Sequence, residues 1–302
     1  MRLIALFFLA MVAVNDAAPS ASAADPVTLN GCELFDLKAK SGDAYRIFVA
    51  SPTKPIPETG YPVIYLSDGN GNFPTLVAAV KRLALLEIKA VVVGIGYPDE
   101  HAGIHLWRRC FDLTPLASER WLKTVEGNPL LKKTGGADEF LAFLEAEVKP
   151  RIEKMHPIDR KRQTLFGHSL GGLFALHVLF TKPESFQAYV ASSPSIWWDD
   201  LALLETEKSF VKKHAEQGVN ARLLMTVGEW EQKPNPKFAK ELTKALKDNR
   251  QVTNAREMAL RLQEKPLKGL KIEFREFPEE DHGSVLLAAA SRAVRFAMDE
   301  LP

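Results

Sequence analysis

Arg162-Gln163-Thr164-Leu165-Phe166-Gly167-His168-Ser169-Leu170-Gly171-Gly172-Leu173 is the stretch whose reading decides the architecture of this chain. Residues 162–166 read as a short buried strand, and residues 173–180, Leu-Phe-Ala-Leu-His-Val-Leu-Phe, as an apolar helix. The Gly-His-Ser-Leu-Gly turn between them is a nucleophile elbow. Its serine takes a strained conformation, and glycines two before and two after it stand where strand and helix pass too close for a Cβ. Without these flanks the same letters would read as a Gly-rich helix start with a capping serine. With them, Ser169 is the candidate nucleophile.

A serine nucleophile needs a base, and the base an orienting carboxylate; behind such an elbow they follow in the order serine, acid, histidine. Residues 270–277, Leu-Lys-Ile-Glu-Phe-Arg-Glu-Phe, alternate like a strand and lead into Pro278-Glu279-Glu280-Asp281-His282-Gly283-Ser284 before a last helix, which makes His282 the candidate base. The elbow's own His168 is expected to point away from the nucleophile. His101 and His105 stand four apart with no third ligand nearby, so no metal site is expected. The acid belongs just past the strand at residues 221–227, where Gly228-Glu229-Trp230-Glu231 follows. Glu231 is the first choice and Glu229 the reserve, and a dyad without an acid stays open.

The oxyanion of a tetrahedral intermediate needs two backbone N–H donors. Leu170, after the nucleophile, supplies one. The second is expected from Asn70 or Gly71, in the turn Ser67-Asp68-Gly69-Asn70-Gly71 between a strand at residues 61–66 and an amphipathic helix at residues 73–86.

Of 302 residues, 46% are apolar and the net charge is +1, which suits one sizeable core and no nucleic-acid or membrane surface. Residues 1–23 read as a secretory signal peptide: Arg2, an apolar run over residues 3–14, and Ala21-Ser22-Ala23 as a cleavage site. Residues 24–302 then form one domain without a membrane anchor, periplasmic or secreted. Cys32 and Cys110 could pair in such a compartment or remain buried thiols. Further strands are expected at residues 27–37, 43–50, 90–95 and 188–192, and helices at 137–155, 201–216 and 236–262. Residues 96–136 lack strong periodicity, and loops of that length are usually functional.

Tyr65-Leu66-Ser67-Asp68-Gly69-Asn70, Arg108-Arg109-Cys110-Phe111-Asp112-Leu113-Thr114-Pro115, Gly135-Gly136-Ala137-Asp138-Glu139-Phe140, the elbow, and Ser193-Pro194-Ser195-Ile196-Trp197-Trp198 together resemble the esterase D-like α/β-hydrolases. Within them the chain is most similar to the branch with periplasmic trilactone siderophore esterases and ferri-bacillibactin esterases. The resemblance spans nearly the whole chain after residue 23. It implies an α/β-hydrolase fold with a mostly parallel sheet and helices on both faces, no cofactor, Ser169 as nucleophile and His282 as base. It leaves the acid open, because some esterases of this branch are described as Ser-His dyads.

The pocket is expected at the carboxyl ends of the strands, where Trp197, Trp198 and Trp230 fall, with Trp107, Arg108 and Arg109 in the long loop after the strand at 90–95. Aromatics and arginines suit a flat, anionic, aromatic ester such as a catecholate. The alternative is that the tryptophans pack the loops and the arginines pair with Asp112 or Glu119. Three functions remain in view: an esterase for a siderophore-like small molecule, a general carboxylesterase or thioesterase for acyl or feruloyl groups, and a non-catalytic binding protein on the same scaffold.

Overall fold

The computed structural model describes residues 28–298, apart from 53–54, 85–88, 99–101, 129–130, 132, 234–243 and 245–246. Residues 1–23, expected to be a signal peptide, and His101 lie outside the described residues. No helix among them is long and apolar enough to cross a membrane.

Residues 31–298 build an eight-stranded sheet in the order β1-β2-β4-β3-β5-β6-β7-β8. The strands are β1 (Cys32–Lys38), β2 (Ala44–Ala50), β3 (Tyr61–Leu66), β4 (Val91–Gly96), β5 (Ile158–His168), β6 (Ala188–Ser192), β7 (Ala221–Gly228) and β8 (Leu270–Phe277). The first two form an antiparallel hairpin, β2 meets β4 antiparallel, and all later pairings are parallel. This is the mostly parallel sheet expected from the sequence. The central strands are buried end to end, as strands covered on both faces must be.

Alternate residues of those strands feed two cores. Tyr61, Val63, Tyr65, Val91 and Val93 face one layer, with α4 (Ala137–Phe143), α6 (Leu170–Thr181), α7 (Trp198–Leu201), α8 (Leu203–His214) and α9 (Gln251–Glu264) packed on it. Ile64, Leu66 and Val92 face the other, under α1 (Gly69–Leu83) and α10 (Val285–Met298). The helix expected over 137–155 is present but broken. Between α4 and α5 (Lys149–Met155) the chain takes a wider π turn over Leu144–Val148. Pro150, at the start of α5, has no N–H to continue the ladder, and the wider turn makes room for its ring.

The stretch without periodicity is not a loop. It holds α2 (Ala102–Asp112) and α3 (Glu119–Thr124). At its end, α2 buries Cys110 and turns Asp112 into the protein.

Cys32 is half-buried on β1, Cys110 is buried on α2, and no disulfide joins them. Two thiols per chain are therefore expected to react with Ellman's reagent in denaturant without reductant, and none if the pair forms a disulfide.

Candidate active site

Strand order reverses between β3 and β5: from β3 the chain steps to β4 on one side, then crosses back over β3 and runs through β5 to β8 on the other. In open α/β sheets the crevice at such a point, beyond the carboxyl ends of the strands, is where ligands bind. Ser169 sits there, between β5 and α6, with φ 61° and ψ −117°. A Cβ on Gly167 would overlap the Gly171 carbonyl, and one on Gly171 would overlap the Ser67 hydroxyl. The elbow closes only because both positions are glycine. Its backbone is pinned by Ser169 N–H donating to Ser192 O at 2.9 Å and by Ser195 N–H donating to Ser169 O at 3.1 Å.

Glu231 follows β7 in a short 3-10 turn (Glu229–Glu231) and is fully buried. Its Oε1 accepts from Gly228 N–H at 2.6 Å and from Ser193 Oγ at 2.5 Å, and its Oε2 lies 2.6 Å from His282 Nδ1. A buried carboxyl group is tolerated only with its acceptors filled, and three donors fill these. A bond from Nδ1–H to Glu231 leaves Nε2 as the ring nitrogen that can accept a proton. His282 is set by the loop between β8 and α10. There the Asp281 carboxylate accepts from Gly283 N–H at 2.7 Å and Ser284 N–H at 3.0 Å, starting the helix. Glu229, the reserve, is instead 2.5 Å from Lys233 Nζ and accepts from Glu279 N–H.

Of the expected oxyanion donors, Leu170 opens α6 directly after the serine. Asn70 lies in the first turn of α1, its side chain clamped to Tyr97 by two hydrogen bonds, Nδ2 to Tyr97 O at 3.0 Å and Tyr97 N–H to Oδ1 at 2.8 Å. The Gly71 N–H is already donated to Asp68 O at 3.1 Å, which leaves Asn70 as the better placed of the two.

The expected substrate residues divide. Trp198 is 2% exposed and packs on Trp121 with ring centroids 4.6 Å apart, so it offers no face to a ligand. The Arg108 guanidinium lies over the Tyr45 and Tyr97 rings at 4.7 and 4.8 Å and donates to Ala44 O. Arg109 is paired bidentately with Asp68, at 2.7 and 2.9 Å. The arginines are thus engaged within the protein, with Asp68 rather than Asp112 or Glu119 as the partner of Arg109. Trp197 and Trp230 are half-buried, and Trp107 on α2 is 37% exposed. Trp197 donates its Nε1–H to Gln251 at 3.0 Å; the same Gln251 donates to Ser193 O at 2.6 Å, tying this tryptophan to the loop that carries Ser193.

Three site residues escape a reading by motif alone. Ser193, with φ 45°, delivers its hydroxyl to Glu231; Ser195 Oγ lies 3.5 Å from Ser169 Oγ; and His168 turns toward the base, its ring centroid 4.7 Å from that of His282. Ser193 and Ser195 fall in a motif visible in the sequence, but their direction depends on a left-handed turn that only folding sets. His168 Nδ1 is 3.2 Å from Ser192 Oγ. Burial, then the neighbouring His282 and Arg109, push its pKa down from 6.5 to about 3, so it stays neutral.

An α/β sheet with an elbow serine at its switch point and a buried glutamate-histidine pair defines a serine hydrolase of the α/β-hydrolase kind. Residues 39–265 match the Esterase family, and the chain belongs to that family. It is 38% identical over 277 residues to the ferri-bacillibactin esterase of Bacillus subtilis, covering 90% of this chain and 91% of that one. It is 36% identical over 293 residues to the siderophore triacetylfusarinine C esterase of Aspergillus fumigatus, covering 92% and 96%. Among solved structures, the BES protein from Bacillus cereus superposes with a TM-score of 0.77 at 36% identity, over 93% of this chain and 100% of that one. The chain is an enzyme that hydrolyses carboxylic esters.

Two outcomes are expected. Glu231→Gln removes the acceptor for His282 Nδ1–H and should lower kcat by about 10²- to 10⁴-fold, whereas Glu229→Gln stays near wild type, both measured on p-nitrophenyl acetate. The unfolded chain protonates His168 below pH 6.5 while the folded chain resists until about 3, so stability should fall as pH drops through that window. In His168→Gln the fall should be shallower, as urea unfolding at pH 4 and pH 7 would show.

Proposed function

We propose that Ser169, His282 and Glu231 form a catalytic triad that hydrolyses the ester bonds of a siderophore-like substrate of the catecholate trilactone class. The observation that carries the reading is the Glu231–His282 contact of 2.6 Å, formed past the carboxyl ends of β7 and β8, at the same end of the sheet as Ser169 after β5. In the first half-reaction Ser169 Oγ attacks the ester carbonyl carbon while His282 Nε2 takes its proton. The negative oxygen is met by the N–H groups of Leu170 and Asn70. The C–O bond of the ester then breaks, and His282 returns the proton to the leaving alkoxide. Water attacks the acyl-serine by the same route, releasing the acid and restoring Ser169. No step calls for a cofactor.

That the ester belongs to a siderophore is supported by the relatives, one named for ferri-bacillibactin and the other for triacetylfusarinine C. Trp197 and Trp230, half-buried after β6 and β7, and Trp107, on α2, are the aromatic surfaces proposed to meet the substrate's rings. Arg108 and Arg109 are left out of that contact because their own partners occupy them. The basic start, apolar run and small-residue cleavage site of residues 1–23 support a periplasmic or secreted enzyme.

The test is product analysis with purified protein on ferric and iron-free trilactone siderophores alongside acetyl, feruloyl and thioester substrates. Trilactone opening should exceed turnover of the simple esters, and Ser169→Ala should abolish both hydrolysis and labelling by a fluorophosphonate. Preference for short acyl or feruloyl esters would instead make this a general carboxylesterase. Labelling that persists in Ser169→Ala would remove the serine from its role.

A further inference from the structure

Asp68 stands at the turn between β3 and α1, one residue after Ser67 and two before Asn70, in the left-handed region with φ 56° and ψ 41°. For a residue other than glycine that conformation is strained and has to be held by its surroundings. The holder comes from a distant part of the chain. Arg109 on α2 places Nε 2.7 Å from Asp68 Oδ1 and Nη2 2.9 Å from Oδ2, the fork-on-fork geometry of a carboxylate-guanidinium pair. Both side chains are about four-fifths buried, at 20% and 18% exposure. The carboxylate also borders the elbow: a Cβ on Gly171 would stand 3.5 Å from Asp68 Oδ2.

A carboxylate at that place has an electrostatic consequence. Negative charge develops on the substrate's carbonyl oxygen between Leu170 N–H and the same turn, and a bare Asp68 carboxylate nearby would oppose it. With the guanidinium bound, the pair presents no net charge to the oxyanion. Burial works against the Arg109 charge, but the Asp68 carboxylate outweighs it and raises the arginine's pKa.

We infer that Arg109 is a positioning residue for hydrolysis, which locks the Ser67–Asn70 turn through Asp68 and cancels the Asp68 charge beside the oxyanion, rather than an anchor for an anionic substrate. This rests on the esterase reading above, and its signature differs from that of a substrate anchor. An anchor acts on KM, and only for charged esters. A turn-positioning pair acts on kcat for every ester, including small neutral ones.

The experiment measures kcat and KM on p-nitrophenyl acetate, the rate of fluorophosphonate labelling of Ser169, and Tm for Arg109→Gln, Arg109→Lys, Asp68→Asn and the double variant Asp68→Asn/Arg109→Gln. Arg109→Gln leaves a buried carboxylate unpaired at the oxyanion and should lower kcat about 10²-fold, the scale of losing one oxyanion donor, with KM little changed and labelling slowed in parallel. Removing the second charge should recover part of that loss, so the double variant is faster than Arg109→Gln. Arg109→Lys, which keeps the charge and loses the fork, should fall between wild type and Arg109→Gln.

The inference is overturned if Arg109→Gln turns over p-nitrophenyl acetate like wild type while KM rises only for anionic esters. It is equally overturned if the double variant is no faster than Arg109→Gln and the activity losses track Tm, which would make the pair a mere tie between α2 and the sheet. Neither readout needs a siderophore. A wild type that cleaves p-nitrophenyl acetate but opens no trilactone would cost the substrate reading and leave this test standing.

Discussion

The distance at which β5 and α6 pass one another is the constraint on which the site depends. The elbow turns so sharply that the Gly167 and Gly171 positions have no room for a side chain. In exchange it holds Ser169 at a positive φ that a serine would not keep alone, a strain of order 1–3 kcal/mol offset by the packing of strand and helix around it. Both partners of that packing are rigid: β5 lies inside the sheet, and α6 is buried from Leu170 to Phe180. Ser192 and Ser195, at and just beyond the end of β6, hydrogen-bond the Ser169 backbone. The loop after β6 therefore takes its place from the elbow, and Ser193 in that loop reaches Glu231. The position of the acid is thus inherited, through two hydrogen-bonded steps, from the turn at the serine.

Two carboxyl groups flank the site, and each has a different kind of partner. Glu231 is fully buried and surrounded by neutral or titratable donors: a backbone N–H, a hydroxyl and the His282 imidazole. In the proposed triad only the imidazole changes charge, on accepting the serine's proton, and Glu231 would stabilise that positive form. Asp68 is paired with a guanidinium, which cannot release its proton near neutrality. One acid can respond to the reaction and the other cannot. The neutral His168 between them, beside both His282 and Arg109, adds no third charge.

Much of this was legible in the sequence because the elements that carry the chemistry are also the most regular ones. The elbow, the strands at 61–66, 188–192 and 270–277, and the place of Glu231 and His282 follow from periodicity 2, periodicity 3.6 and two glycines. The structure reproduces those three strands residue for residue. What escaped lies where polarity and burial part company. Asp68 and Arg109 are charged and look solvated in sequence, yet they meet inside the protein across 41 residues of chain. Trp198 looks like a binding surface and is core. No spacing rule pairs such residues, because the pairing is made by the docking of α2 on the sheet and not by either local segment.

That same docking separates the two tasks an esterase must perform. The proposed reacting groups follow parallel strands, of which β5 and β7 are held on both sides and β8, at the sheet edge, on one. The half-buried and exposed tryptophans come from the loops after β6 and β7 and from α2. In α2, consecutive residues serve opposite directions: Trp107 faces outward, while Arg108 and Arg109 reach inward to Tyr45, Tyr97 and Asp68. A substitution at 107 changes what the surface offers to a ligand and leaves the oxyanion turn alone. A substitution at 109, two residues on, reaches the turn. If Trp107 meets the substrate and Arg109 positions the turn, as proposed, substrate preference can drift along the outer edge of α2 without disturbing the chemistry, provided that its inner edge keeps its charge.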